Sequence, residues 1–123
     1  EMSHGPFSSP DRFFASVEQL CAQIRAAGAV PVLYATWAYR KDCPKLAAKG
    51  WDYEEMARCM AEACRTAARE NGALLADVGQ RFYQLADTLN LYAADGVHPS
   101  EAGSRLAAET IAAAIQTHKE NES

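Results

Sequence analysis

The spacing of apolar positions along the chain predicts alternating helices and buried strands. Apolar side chains recur at helical spacing over residues 10–27, and Gly28 ends that run. Residues 30–35 and 74–78 are short apolar stretches without polar alternation, which is typical of strands covered on both faces. A second helical stripe, over about residues 52–70, lies between them.

Polar residues indicate where the later helices begin and end. Asp52 and Glu55 form a plausible capping pair at the start of the second helix. A short helix is predicted over about residues 80–88. A long amphipathic helix then starts near Ser100, and the tail from His118 onward is expected to fray.

This order of elements predicts an α/β fold with a parallel sheet. Ligands of such sheets bind beyond the carboxyl ends of the strands, which places residues 37–50, 77–80 and 95–99 at the functional edge. Two strands are too few for a parallel sheet that is covered on both faces. We therefore expect a further segment, or another chain, to complete the sheet.

Composition limits the classes of function. The 123 residues are 49% hydrophobic and 23% charged, which suits one compact domain, and the net charge is −4. No basic stripe suggests a nucleic-acid partner, and the apolar runs are too short to span a membrane. Residues 1–6 lack the regions of a signal peptide and read as the interior of a longer polypeptide.

The four cysteines do not indicate a zinc site, because none forms a C-x-x-C pair. Cys21 and either Cys59 or Cys64 read as small core residues, which leaves Cys43, in a loop, as the expected free thiol. Reduced cysteines favour a cytoplasmic setting over export, although the count does not exclude export.

The segment Asp95-Gly96-Val97-His98-Pro99-Ser100 is the strongest candidate for chemistry. Gly96 frees the backbone to fold back, so that the Asp95 carboxylate can hold one nitrogen of the His98 ring for proton transfer. Pro99 keeps His98 out of the helical conformation and suits a first helical turn, and Ser100 can cap the helix. The alternative is a polar turn before a surface helix.

This segment, followed by an Ala-rich helix, resembles the last motif of the SGNH or GDSL hydrolases. The order of elements from about residue 10 onward is similar to the second half of their fold. The resemblance implies a three-layer α/β/α, flavodoxin-like fold, with residues 1–123 as a single domain or as the C-terminal part of one. It also implies that His98 and Asp95 are the base and acid of a Ser-His-Asp triad.

The chain departs from the family where the nucleophile belongs. No G-D-S block is present, and the glycine and G-x-N-D motifs are absent. Glu1-Met2-Ser3 is similar to the trailing part of a Q-E-x-S variant, so Ser3 is a candidate for substrate or oxyanion binding. Ser100 and Ser104 are explained by their place at the start of a helix. We therefore expect the nucleophilic serine upstream of this chain.

The segment that follows the first strand offers two interpretations. Trp37 can stack on a sugar ring and Arg40 can meet an acidic group, or Trp37 can cover the sheet edge as ordinary core. Asp77, at the end of the second strand, is a second acid that could compete for His98, but an Asp at a strand end more often caps the following turn. His4 is a further site candidate, although a solvated histidine at the terminus is the favoured explanation.

The favoured function is cleavage of an acyl or acetyl ester, with acetylated carbohydrate as one candidate, and without a cofactor. A metal site built from Asp95, His98 and His4 is disfavoured, because no third ligand has convincing spacing. The alternative function is a non-catalytic module that binds a ligand or a protein through the Trp37 segment. If the sheet is not completed, the exposed strand edge should make the chain form homo-oligomers or fold poorly.

Overall fold

A computed structural model describes residues 4–122. Within that range, short strands alternate with helices, as the apolar pattern predicts. The elements run in the order α1 (Gly5–Ser8), α2 (Pro10–Ala26), β1 (Val32–Tyr34), α3 (Pro44–Lys49), α4 (Tyr53–Glu70), β2 (Leu74–Ala76), α5 (Val78–Leu85) and α6 (Glu101–Glu122).

The two strands described pair in parallel, with Val32 opposite Leu74 and Tyr34 opposite Ala76. Both strands are shorter than the apolar runs that predict them. Hydrogen bonds extend the pairing at each end of the ladder, from Leu74 N to Pro31 O (3.0 Å) and from Ala35 N to Ala76 O (3.0 Å). The second strand ends early because the chain turns directly into α5.

Helices cover the sheet on both faces. Consecutive residues of a strand point to opposite faces, and Val32 packs against the cluster of α5 and α6 while Leu33 packs against that of α2 and α4. Buried Phe82 and Leu106 belong to the first cluster, and Cys21 belongs to the second. The result is a helix–sheet–helix sandwich with β1 and β2 in its middle layer.

A third cluster lies beyond the carboxyl ends of the strands. It joins buried residues of α3 and α4 to the loop before α6, and includes Tyr39, Leu46, Met56, Met60 and Val97. This cluster attaches the Asp95 segment to the rest of the fold.

The helix ends agree with the predicted signals, with two corrections. The Asp52 side chain accepts a hydrogen bond from Glu55 N (2.9 Å) and caps α4, as predicted. The expected fraying from His118 is wrong, because α6 continues to Glu122 and His118 pairs with Glu122 across one turn (3.1 Å). The helix predicted over residues 80–88 begins earlier, at Val78, whose side chain is fully buried.

All four cysteines are free thiols. Cys21 and Cys64 lie in the core as predicted, and burial raises the pKa of the Cys64 thiol to about 12. Cys43 is also free, but it is buried instead of accessible, because α3 and the Asp95 segment pack over it. Within residues 4–122, no helix has both the length and the apolar character needed to cross a membrane.

Candidate active site

The loop before α6 brings the Asp95 carboxylate within hydrogen-bonding distance of the His98 ring. Asp95 Oδ2 lies 2.5 Å from His98 Nδ1. The other carboxylate oxygen, Oδ1, accepts hydrogen bonds from the backbone N–H groups of Val97 (2.9 Å) and His98 (3.0 Å). Gly96 makes this turn with a φ of +71°, in the region that favours glycine. One carboxylate therefore closes the turn and holds the imidazole.

The hydrogen bonds to Asp95 keep its carboxylate ionised. The bond from His98 is the largest cause that holds the pKa of Asp95 well below its usual range, and the backbone N–H groups of Val97 and His98 act in the same direction. An ionised carboxylate only accepts hydrogen bonds, so the proton shared with Asp95 is assigned to His98 Nδ1. In the neutral ring, Nε2 is then the basic nitrogen.

The His98 ring is accessible to a reacting group. Its side chain is 70% exposed, and the Asp95 side chain is 46% exposed. A nucleophile or a substrate can therefore approach the ring without any rearrangement of the residues described. This pair can orient an imidazole and stabilise the positive charge that develops on it during proton transfer.

The start of α6 fixes the far end of the loop. Ser100 Oγ accepts a hydrogen bond from Gly103 N (3.1 Å) and donates one to Asn90 O (2.7 Å), so Ser100 caps the helix as predicted. Pro99 lies before the helix and not in its first turn, because it forms an antiparallel bridge with Tyr92. The hydroxyl of Ser100 is thereby engaged in structure.

Trp37 supports the loop from inside the fold. Its indole Nε1 donates a hydrogen bond to Val97 O (2.8 Å), and its ring stacks on Phe82 at 4.2 Å with an angle of 5°. These contacts favour the interpretation of Trp37 as a core residue, because one ring face and the N–H group both contact other parts of the protein. They give no support to stacking on a sugar.

Arg40 also serves the loop instead of offering its charge to an external acid. Its guanidinium forms an ion pair with Asp42 and donates to Ala93 O (3.1 Å). Asp77 does not cap α5 with its side chain; its Oδ2 lies 3.5 Å from Arg65 Nε. Nothing in these contacts connects Asp77 with His98.

The remaining candidates are His4, Ser104 and Ser3. His4 is not simply solvated: its Nδ1 lies 2.6 Å from Ser8 Oγ, and its ring packs edge-on against Trp51 at 5.3 Å. Ser104 lies exposed on α6. Ser3 falls outside the described residues. Across residues 4–122, no three His, Cys, Asp or Glu side chains form a group that could hold a metal ion.

Sequence reasoning missed the structural use of Arg40 and did not single out Cys43 or Tyr92 for the site. The Cys43 thiol lies 3.4 Å from Asp95 O, and the Tyr92 hydroxyl donates to Ala38 O (2.7 Å) inside the fold. These contacts join residues more than fifty positions apart, so no local spacing announces them. The sequence signal for this segment was its aromatic and basic character, from Trp37 and Arg40, after the first strand.

An exposed Asp–His pair next to the carboxyl edge of a parallel sheet has the geometry that general-base chemistry requires. Residues 5–106 match the profile of the GDSL-like lipase/acylhydrolase family. The match covers more than half of the chain, and the chain belongs to this family of hydrolases.

A solved structure supports the same assignment. It is described as "a putative SGNH hydrolase from Slackia heliotrinireducens", is 52% identical in sequence, and superposes with a TM-score of 0.87. The similarity covers 94% of this chain and 62% of that chain. The fold is therefore that of the SGNH hydrolases, as expected, and the chain spans less than two thirds of that relative. No curated protein matches the chain.

Proposed function

We propose that this chain carries the base and the acid of a serine ester hydrolase. The observation that carries the proposal is the 2.5 Å contact between His98 Nδ1 and Asp95 Oδ2 in a turn that leaves the ring exposed. Membership of a hydrolase family supports the reaction class. Acyl esters, with acetylated carbohydrates among them, are the proposed substrates.

In the proposed reaction, His98 Nε2 removes the proton from a serine hydroxyl as the serine oxygen attacks the ester carbonyl. The imidazolium that results is stabilised by the ionised Asp95 and then gives its proton to the departing alcohol. Water next attacks the acyl-serine, again with His98 as base, and releases the acid and the free serine. Asp95 orients the ring throughout and accepts no proton.

We propose that a segment upstream of this chain supplies the serine. The relative from Slackia heliotrinireducens has more than a third of its length outside the region matched here, which leaves room for such a segment. Within residues 4–122 the sheet has two strands, and Tyr34 in β1 and Val30 before it are 43% and 47% exposed. A strand that pairs with the free edge of β1 would cover apolar surface there.

The test uses the polypeptide that includes the residues encoded upstream of Glu1. We expect it to hydrolyse a short-chain p-nitrophenyl ester and to react covalently with a fluorophosphonate probe at a serine. His98→Ala should lower kcat about 10²- to 10⁴-fold, the usual contribution of a general base. His118→Gln is the matched control, because His118 pairs with Glu122 on α6 and should leave kcat unchanged.

Either of two results would refute this mechanism: wild-type kcat in His98→Ala, or absence of both turnover and probe labelling in the longer polypeptide. Asp95→Asn gives a second check. An amide at this position can present its NH₂ group to the imidazole and stabilise the wrong tautomer, so the rate should fall while the protein stays folded.

A further inference from the structure

The backbone of the loop that carries the Asp–His pair is held at every carbonyl. We call residues 93–98 the dyad loop and residues 37–43 the support segment. The Arg40 guanidinium donates to Ala93 O (3.1 Å) and Ala94 O (3.5 Å), and the Arg40 backbone N–H donates to Gly96 O (2.8 Å). Cys43 Sγ donates to Asp95 O (3.4 Å), and Trp37 Nε1 donates to Val97 O (2.8 Å). The sixth carbonyl, His98 O, accepts from Ala93 N (2.8 Å). Five of these six donors belong to the support segment.

This arrangement is unusual for an irregular surface loop, whose backbone groups ordinarily bond to water as well as to protein. Within the dyad loop, two backbone hydrogen bonds join its own residues: Ala93 N donates to His98 O at the bridge between Tyr92 and Pro99, and Gly96 N donates to Ala93 O (3.0 Å). The other carbonyls are held by donors from the support segment, which follows β1. The position of Asp95 and His98 is therefore tied to the rigid centre of the fold.

Arg40 makes the largest contribution, because it supplies three of the five donors. Its backbone N–H bonds to Gly96 O, and its guanidinium bonds to the carbonyls of Ala93 and Ala94. The ion pair with Asp42 holds the guanidinium from another direction. Hydrogen bonds from a charged donor are roughly twice as strong as neutral ones, and the planar fork of arginine can bond two acceptors at once.

The geometry also limits what else Arg40 can do. Its guanidinium is engaged with loop carbonyls and with Asp42, and its side chain is 32% exposed. The hydrogen bond to Asp42 is the main cause that raises the pKa of Arg40 above its usual value, and the charge of Asp95 acts in the same direction. Arg40 therefore acts on the pair through the loop backbone and not through direct contact with the imidazole.

We propose that Arg40 is a positioning residue of the Asp95–His98 pair. It fixes the dyad loop at the distance and angle that proton transfer needs, and it does not bind the ester. Its catalytic consequence rests on the function proposed above, whereas its effect on the geometry of the His98 ring does not. Displacement of a reacting group by about 1 Å can lower a rate by about 100-fold.

The first measurement separates kcat from KM in the polypeptide that includes the upstream segment. Arg40→Ala keeps the backbone bond to Gly96 O and removes both guanidinium bonds. We expect kcat on a short-chain p-nitrophenyl ester to fall about 10- to 100-fold, with KM changed by less than about threefold. Arg40→Lys should lie between Arg40→Ala and wild type, because one ammonium group cannot reproduce the fork.

Arg105→Ala is the matched control. Arg105 lies on α6, is 69% exposed, and pairs with Glu101 instead of with the dyad loop. The substitution removes the same positive charge at a position close to His98 in sequence, and it should leave kcat unchanged. A similar loss of kcat in Arg105→Ala would show that charge, and not positioning, is responsible, and would overturn the proposal.

The second measurement does not depend on activity. Proton and nitrogen NMR signals of the His98 ring, assigned with His98→Ala, report the bond from Nδ1 to Asp95. We expect the Nδ1 proton to shift upfield or broaden in Arg40→Ala and less so in Arg40→Lys, with no change in Arg105→Ala. Amide hydrogen exchange over residues 93–98 should be fastest in Arg40→Ala, intermediate in Arg40→Lys, and unchanged in Arg105→Ala.

The two measurements distinguish the two proposals. If the wild-type protein cleaves no ester but the His98 signals respond to Arg40→Ala as described, positioning is supported and ester hydrolysis fails. If the wild type is active and neither kcat nor the ring signals respond to either Arg40 variant, positioning fails. A rise in KM at constant kcat would assign Arg40 to substrate binding and would also overturn the proposal.

Discussion

Gly103→Ala should destabilise the protein although it places a better helix former inside a helix. Gly103 is buried in the first turn of α6, where the helix passes close to the chain at Leu91. A Cβ atom at this position would lie 2.1 Å from Leu91 O and 3.0 Å from Phe82 Cζ. A backbone oxygen cannot rotate out of the way, so α6 must move away from residue 91.

Two opposing effects set the magnitude. Alanine is favoured over glycine in a helix interior by about 1 kcal/mol. Overpacking of this kind costs about 1–3 kcal/mol. The displacement also weakens the bond from Ser100 N to Leu91 O (2.9 Å), and an unsatisfied buried carbonyl costs about 1–3 kcal/mol. We therefore expect a net loss of about 3 kcal/mol in the free energy of unfolding.

Urea unfolding of the polypeptide that includes the upstream segment measures this loss, with Gly5→Ala as the matched control. A Cβ atom on Gly5 would meet no heavy atom within 4 Å, so that variant should unfold close to the wild-type midpoint. Wild-type or higher stability in Gly103→Ala would show that helix propensity outweighs the close approach, and would refute the reasoning.

Three further predictions concern the dyad loop. Gly96→Ala should lower the free energy of unfolding by about 1–2 kcal/mol because of the positive φ, and it should also lower kcat, because the new Cβ would lie 3.1 Å from Cys43 Cβ. Gly50→Ala is the control: its φ is +69° but the space around it is open, so urea unfolding should show a similar loss of free energy while kcat stays unchanged. Trp37→Phe keeps an aromatic ring over Phe82 but leaves Val97 O without its donor, so the free energy of unfolding should fall by about 1–2 kcal/mol in thermal unfolding. An unchanged Tm would contradict the assigned hydrogen bond. The depressed pKa of Asp95 adds stability that is complete above the unfolded pKa of about 4 and is lost as the pH falls through the folded pKa. The difference in urea midpoint between wild type and Asp95→Asn should therefore shrink below about pH 4, and a difference that does not depend on pH would contradict this account.

Much of the candidate site was predictable from sequence because its central contacts are local. Asp95 and His98 are three residues apart, and a glycine between them permits the turn that joins them. The Ser100 cap on α6 and the Asp52 cap on α4 likewise act within three residues. Such contacts depend on residue type and on backbone conformation over a few positions, which a sequence displays directly.

The support of the site was not predictable in the same way. Trp37 offered two interpretations of equal weight, and its bond to Val97 O spans 60 positions. Arg40 reaches Ala93 O over 53 positions, and Cys43 reaches Asp95 O over 52. None of these pairs has a spacing that distinguishes it from other pairings, because the packing of β1 and the loop before α6 decides which side chains meet.

The sequence by itself determined the alternation of helices and strands, the family, and the identity of the Asp–His turn, since periodicity and short-range hydrogen bonding depend on neighbouring residues. The tertiary structure decided where the strands end, how far α6 extends, and that Trp37, Arg40 and Cys43 hold the turn from behind. These outcomes depend on which distant surfaces pack together, and burial and long-range hydrogen bonds acquire their energies only once that packing has formed.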